Sequence, residues 1–199
     1  MDFERIRSHE PTAVTDQPQE AAVIVPVITP ETEPRILFTK RADHLSDHPG
    51  QMSFPGGGHE ELDGSLEATA RREGHEEIGL EPSEAEFIGR LDDIRTVTRY
   101  SVRPFVAEIP DREYEPRDGE VAEISVLPVA ELTDLDNYHS ERRDHPHYGE
   151  IRLHYFYVGG VTVWGATARI LVQFLELATA WQMPPEVDRE AEPDAEFPV

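Results

Sequence analysis

Cysteine is absent from the 199 residues, which excludes disulfides, thiolate zinc sites and cysteine nucleophiles. Lysine occurs once, at Lys40, against 41 acidic residues, and the formal net charge is -23. Binding of nucleic acid depends chiefly on Lys and Arg neutralising phosphates, so this balance argues against such a partner. Abundant acid with scarce lysine is instead the pattern of a high-salt cytoplasm, where screening relieves self-repulsion, although an acidic protein at ordinary salt is the alternative. Long apolar runs are also lacking. The longest, residues 21–28, is far short of the roughly 20 residues a membrane span needs, and residues 1–20 show no basic segment followed by an apolar core. The expectation is a soluble, cytoplasmic protein with no membrane partner. Its length suits one domain with a sizeable core.

What the chain does have is concentrated in residues 53–80. Gly56, Gly57 and Gly58 can adopt backbone angles closed to other residues and let N–H groups approach a ligand. Ser65 is placed to cap a helix and Glu67 lies where the helix dipole favours an anion, while Gly79 followed by Leu80 and Pro82 ends it. A helix over residues 65–78 follows. On it Glu73, Glu76 and Glu77 are spaced i, i+3, i+4, so three carboxylates share one face. Each such like-charge pair costs about 0.2 to 0.5 kcal/mol, which Arg72 offsets only in part. A hard divalent cation such as Mg²⁺ removes the conflict, because it takes oxygen ligands and is commonly shared with substrate phosphates. The plain alternative is a solvated acidic face.

Arg72, Glu73, Glu76, Glu77, Gly79 and Leu80 resemble, in register, the signature of the Nudix hydrolases, which also carries a Gly and a loop acid upstream. Gly74 occupies a position that is apolar in the signature, and the stretch from Gly57 to Arg72 is one residue longer than the general form. That extra residue is a feature of the coenzyme A pyrophosphatase subgroup. The run Leu37 to Ala42, then His48, Gly50 and Phe54 to Gly57, also resembles that subgroup, except that Ser46 stands where it has a second arginine. The run Trp164 to Leu171 is similar to one near its C-terminus.

Elsewhere, 21–28 and 35–41 read as a hairpin at the edge of the core, and 86–91, 102–109 and 120–127 as strands. A short helix is expected at 128–132, a polar loop at 133–150, strands continuing the same sheet at 151–158 and 161–164, and an amphipathic helix from 165 to about 181. His139, Asp144, His145 and His147 in that loop match no compact zinc motif, so no metal is assigned to them. Nor is one assigned to His44 or His48. Residues 1–20 read as a polar N-terminal extension with room for one short helix, 21–183 as the domain, and 184–199 as an acidic, Pro-rich disordered tail.

The resemblance implies an α/β fold, a Nudix-type α/β/α sandwich with a mixed central sheet. It implies hydrolysis of a nucleoside diphosphate-linked substrate with Mg²⁺ or Mn²⁺ as cofactor. The subgroup resemblance narrows the substrate to coenzyme A or an acyl or oxidised form, giving 3',5'-ADP and 4'-phosphopantetheine or its derivative. By family match Glu73 and Glu77 hold the ion, Glu76 is a further ligand or orients the attacking water, and Arg72 holds the glutamates by ion pairing. Gly56, Gly57 and Gly58 lie against the substrate, with Arg41 and Arg99 as candidate phosphate contacts and Lys40, Arg95 and Tyr100 as further ones. Trp164 and Arg169 read as core packing and helix anchoring. A general base beyond the helix is open, with Glu120 or Glu123 as guesses. A Nudix enzyme acting on ADP-ribose, a dinucleoside polyphosphate or an oxidised nucleotide, and a non-catalytic nucleotide sensor, are the alternatives. The state of assembly is open, a homodimer included.

Overall fold

The computed structural model describes residues 1–45, 48–145 and 149–191, with only the backbone at 145. Ser46, His147 and residues 192–199 lie outside the described residues, as does the His145 side chain. The elements in chain order are α1 (Phe3–Arg7), β1 (Gln19–Ile28), β2 (Arg35–Arg41), β3 (Met52–Ser53), β4 (Gly56–Gly58), α2 (Leu66–Ile78), β5 (Glu86–Arg90), β6 (Ile94–Arg95), β7 (Tyr100–Glu108), β8 (Val121–Pro128), α3 (Val129–Leu132), β9 (Tyr138–His145), β10 (Gly149–Val158), β11 (Val161–Trp164), α4 (Gly165–Ala178) and β12 (Arg189–Glu190).

Strand β1 has a buried run rather than an alternating one, as a strand covered on both faces should. It is central, which corrects the expected hairpin at the edge of the core. It pairs in parallel with β7 from Gln19↔Tyr100 to Val27↔Glu108. Its other edge is shared: β4 runs antiparallel to its first half, from Ala21↔Gly58 to Val23↔Gly56, and β2 to its end at Val27↔Ile36. Strands β3 and β8 pair with β2, and β5 and β6 with β7, to complete a mixed sheet. Alternate side chains of β1 separate two cores. Ala22, Ile24 and Ile28 meet Leu66, Ala70 and Ile78 of α2, whereas Val25 and Val27 join the core built by α4.

Strands β9 to β12 do not continue this sheet; they form a second one, in the order β11-β10-β9-β12. The segment expected as a polar loop at 133–150 holds β9 because its polar residues find partners inside the fold. Glu141 and Ser140 are fully buried. The Glu141 carboxylate accepts from Tyr155 Oη at 2.8 Å, Arg143 Nη2 at 2.8 Å and Arg189 Nε at 2.7 Å. The Ser140 N–H donates to Asp188 Oδ2 at 2.7 Å. The same contacts correct the expected disorder over 184–191, where Arg189 and Glu190 pair with Glu141 and Arg142. At the other terminus Ile6 is buried and the Asp2 N–H donates to the Ala178 carbonyl at 2.7 Å, so α1 packs on α4. Among the described residues no helix is long and apolar enough to cross a membrane.

Candidate active site

Helix α2 carries the caps its sequence calls for. Ser65 Oγ accepts from the Ala68 N–H at 3.2 Å. At the other end Gly79 takes the left-handed φ of 65°, with the Gly79 N–H bonded to the His75 carbonyl and the Leu80 N–H to that of Gly74, both at 3.1 Å. Gly74, the odd position of the motif, faces β1, where a β-carbon would lie 2.9 Å from Ile24 Cδ1. Its lack of a side chain lets α2 sit close on the sheet, and this brings the glutamates against β4.

Glu77 is 5% exposed and its Oε2 accepts from the Gly56 N–H at 3.1 Å. Burial pushes its carboxyl up to about 8, Glu73 and Asp118 push the same way, and the Gly56 N–H and the Arg41 charge oppose them. Burial also raises Glu73, against the pull of Arg72, with Glu76 and Glu120 adding to the rise. Glu76 is half exposed.

Arg72 joins these groups. Its Nε donates to Asp63 Oδ1 at 3.1 Å and its Nη2 to Asp63 Oδ2 at 3.0 Å and the Gly58 carbonyl at 3.1 Å. Its Nη1 divides between Glu73 Oε1 at 2.9 Å and Glu76 Oε2 at 3.0 Å. All five guanidinium N–H groups are thereby engaged within the protein, so in this arrangement Arg72 holds other side chains and has no donor left for a substrate. The Arg72 guanidinium in turn keeps the Asp63 carboxyl well below the usual carboxylate range.

The other sequence candidates fall into two groups. Arg41 ends β2 at a bulge opposite Val121, and its charge reaches Glu77. Tyr100 lies beside β4, its ring 3.9 Å from where a Gly58 β-carbon would sit, and Arg99 is exposed in the turn before it, at a φ of 67°. Glu120 is exposed before β8, near enough for its charge to act on Glu73, whereas Glu123 lies further along β8, opposite Lys40. Arg95 is directed elsewhere, to Asp16 at 2.7 Å. Arg169 donates to the Arg95 carbonyl at 3.0 Å, an anchoring contact for α4. Sequence reading missed Asp63, Thr69 and Asp118. For Asp63 the signal was present, since the motif carries a loop acid upstream of its arginine.

Among the described residues no three His, Asp or Glu side chains already converge on one point as ligands, because Glu73 and Glu76 are drawn to Arg72. The chemistry of the donor set nevertheless fits a hard cation. It is all oxygen, and Glu77 is a buried carboxylate whose direct partner is one neutral backbone N–H.

Residues 18–148 match the family described as the NUDIX domain. The chain is 41% identical over 159 residues to a protein of Enterobacter sp. (strain 638) called uncharacterized Nudix hydrolase NudL, covering 77% of this chain and 79% of that one. It is 40% identical over 159 residues, with the same coverage, to the protein of that name from Cronobacter sakazakii. Its fold is similar to that of a MutT/nudix family protein from Enterococcus faecalis, with a TM-score of 0.50 and 13% identity, over 85% of this chain and 65% of that one.

Proposed function

Because this chain belongs to the Nudix hydrolase family, we propose that it hydrolyses the pyrophosphate of coenzyme A, or of an acyl or oxidised form, to 3',5'-ADP and 4'-phosphopantetheine or its derivative. The observation that carries the chemistry is the pair of carboxylates Glu73 and Glu77, turned from one face of α2 into the glycine strand. The substrate reading rests on three separate stretches, 37–57, the longer loop before Arg72, and 164–171, which all resemble the coenzyme A subgroup.

Glu73 and Glu77 would hold Mg²⁺ or Mn²⁺, with half-exposed Glu76 as a further ligand or as the group that orients the nucleophilic water. Such an ion, when bound, supplies Lewis-acid neutralisation of the phosphate oxygens. Water attacks one phosphorus, its bond to the bridging oxygen breaks, and the departing phosphate keeps that oxygen. Arg72 keeps the glutamates in place. The backbone of Gly56 to Gly58 lies against the substrate phosphates. Arg41 and Arg99 are the cations that would face the substrate, Arg41 through its field on Glu77 and Arg99 through its place in the turn next to Tyr100, which lies beside β4. The acidic, nearly lysine-free composition suits a cytoplasm of high ionic strength.

The 3'-phosphate distinguishes coenzyme A from ADP-ribose, and a charge-assisted contact to it is worth roughly 1.5 to 3 kcal/mol. With Mg²⁺ or Mn²⁺ supplied, coenzyme A should exceed 3'-dephospho-coenzyme A by about ten- to a hundredfold in kcat/KM. Ser46, in place of the subgroup's arginine, points to the low end. More efficient cleavage of ADP-ribose or a diadenosine polyphosphate than of coenzyme A would overturn the substrate and leave the pyrophosphatase chemistry.

A further inference from the structure

The side chain that sets Arg72 is itself set by a second layer. Asp63 sits in the loop between β4 and α2, where Oδ2 accepts from the Glu60 N–H at 3.1 Å and from Thr69 Oγ1 at 2.9 Å, in addition to Arg72. Thr69 is fully buried on α2, one turn before Glu73. Its hydroxyl has a single proton, and an ionised Asp63 can only accept, so that proton belongs to Asp63. His59 Nδ1, 2.9 Å from Thr69 Oγ1, must then carry a hydrogen and donate it, which assigns the tautomer. The order of donation is His59 to Thr69 to Asp63, and Arg72 links Asp63 to Glu73.

We propose that Thr69 is a positioning residue for the cation site, acting through Asp63 and Arg72 on Glu73. A loop carboxylate can turn about its side-chain bonds, and Asp63 is aimed at Arg72 only while donors on its far side hold it. The buried hydroxyl is the donor fixed to the same helix as the glutamates. Losing it leaves Asp63 able to rotate, and Arg72 then no longer presents Glu73 in one orientation. This inference rests on the reading of Glu73 and Glu77 as the cation-binding pair.

The test is Mn²⁺ binding to the full chain without substrate, measured from the electron paramagnetic resonance signal of free Mn²⁺. Thr69→Val keeps the shape and removes the hydroxyl, and should weaken binding about tenfold, the low end for groups that orient metal ligands. Thr69→Ser should bind within about twofold of the parent on the same basis. Wild-type affinity in a folded Thr69→Val, or equal weakening in Thr69→Ser, overturns the proposal. Should Thr69→Val fail to fold, Thr69→Ala removes the same hydroxyl without placing a methyl group against Asp63, whose Oδ2 lies 2.9 Å from Thr69 Oγ1. About tenfold weakening is expected there too, and unchanged affinity overturns the proposal. Absence of Mn²⁺ binding in the parent protein would instead remove the cation reading itself.

Discussion

A β-carbon on Gly57 would overlap the Glu73 carboxylate, lying 2.6 Å from Cδ and closer still to Oε1. The strand thus packs directly on a side chain proposed to hold the cation, and only glycine leaves Glu73 its place. The clash is with the end of a flexible side chain, which can swing away, so Gly57→Ala should change stability by less than about 1 kcal/mol. Activity should nevertheless fall about ten- to a hundredfold, as when a group orienting a metal ligand is lost. Gly56→Ala should do the reverse kind of damage. Its β-carbon would meet backbone, 2.6 Å from Val23 Cα and closer to the Ala22 carbonyl. A loss of more than about 2 kcal/mol in urea unfolding is expected there. Equal behaviour of the two variants in both assays would contradict this division.

Burial pushes the Glu77 carboxyl up to about 8, so at neutral pH the metal-free folded protein must hold a proton that the unfolded chain has released, and Glu77→Gln removes that cost. The melting temperature of the metal-free protein at neutral pH should therefore rise, by roughly 2 to 4 °C per kcal/mol at this size. Stabilisation by added Mg²⁺ should disappear in the same variant. Turnover should drop at least ~100-fold, and likewise in Glu73→Gln, with circular dichroism unchanged. Wild-type rates in both variants would remove the metal assignment.

Burial lowers the His154 imidazole from its ordinary 6.5 to about 4, helped by the charges of Arg152 and Arg169, while Nδ1 meets Tyr138 Oη at 2.8 Å. The unfolded chain therefore binds the proton first as pH falls. Stability from this residue is full above about pH 6.5 and is lost between there and about pH 4, a total of about 3 kcal/mol. Chemical unfolding at stepped pH should show a steeper acid limb for the parent than for His154→Gln. Parallel curves would refute the contribution.

The net charge of -23 predicts a strong response to salt. Self-repulsion acts over about 30 Å at 0.01 M and only about 3 Å at 1 M ionic strength. The melting temperature should rise with KCl into the molar range. A midpoint that is flat or falling above about 0.15 M would count against a protein suited to high salt.

Helix α2 was legible because its signals are local. Ser65, Gly79 and the spacing of Glu73, Glu76 and Glu77 act within a turn or two of chain, and the structure places Leu66–Ile78 between those caps. The α/β class came from the Nudix resemblance together with the order of apolar strands such as 21–28, the glycine-rich loop and the helix. Strand β9 was not legible, because Ser140, Glu141 and Arg143 are buried polar residues that erase the usual alternation. They are tolerated because Arg152, Tyr155, Asp188 and Arg189, outside the strand, supply hydrogen bonds.

By itself, then, the sequence determined the helix, its acidic face and the shortage of compensating cations, since each depends on neighbours along the chain. Tertiary structure decided what those carboxylates experience. Contact of Gly74 with Ile24 sets how near α2 lies to the sheet, β4 encloses Glu77, and the loop returns Asp63 to Arg72. Desolvation and hydrogen-bond geometry depend on distances through space, and no spacing along the chain specifies them.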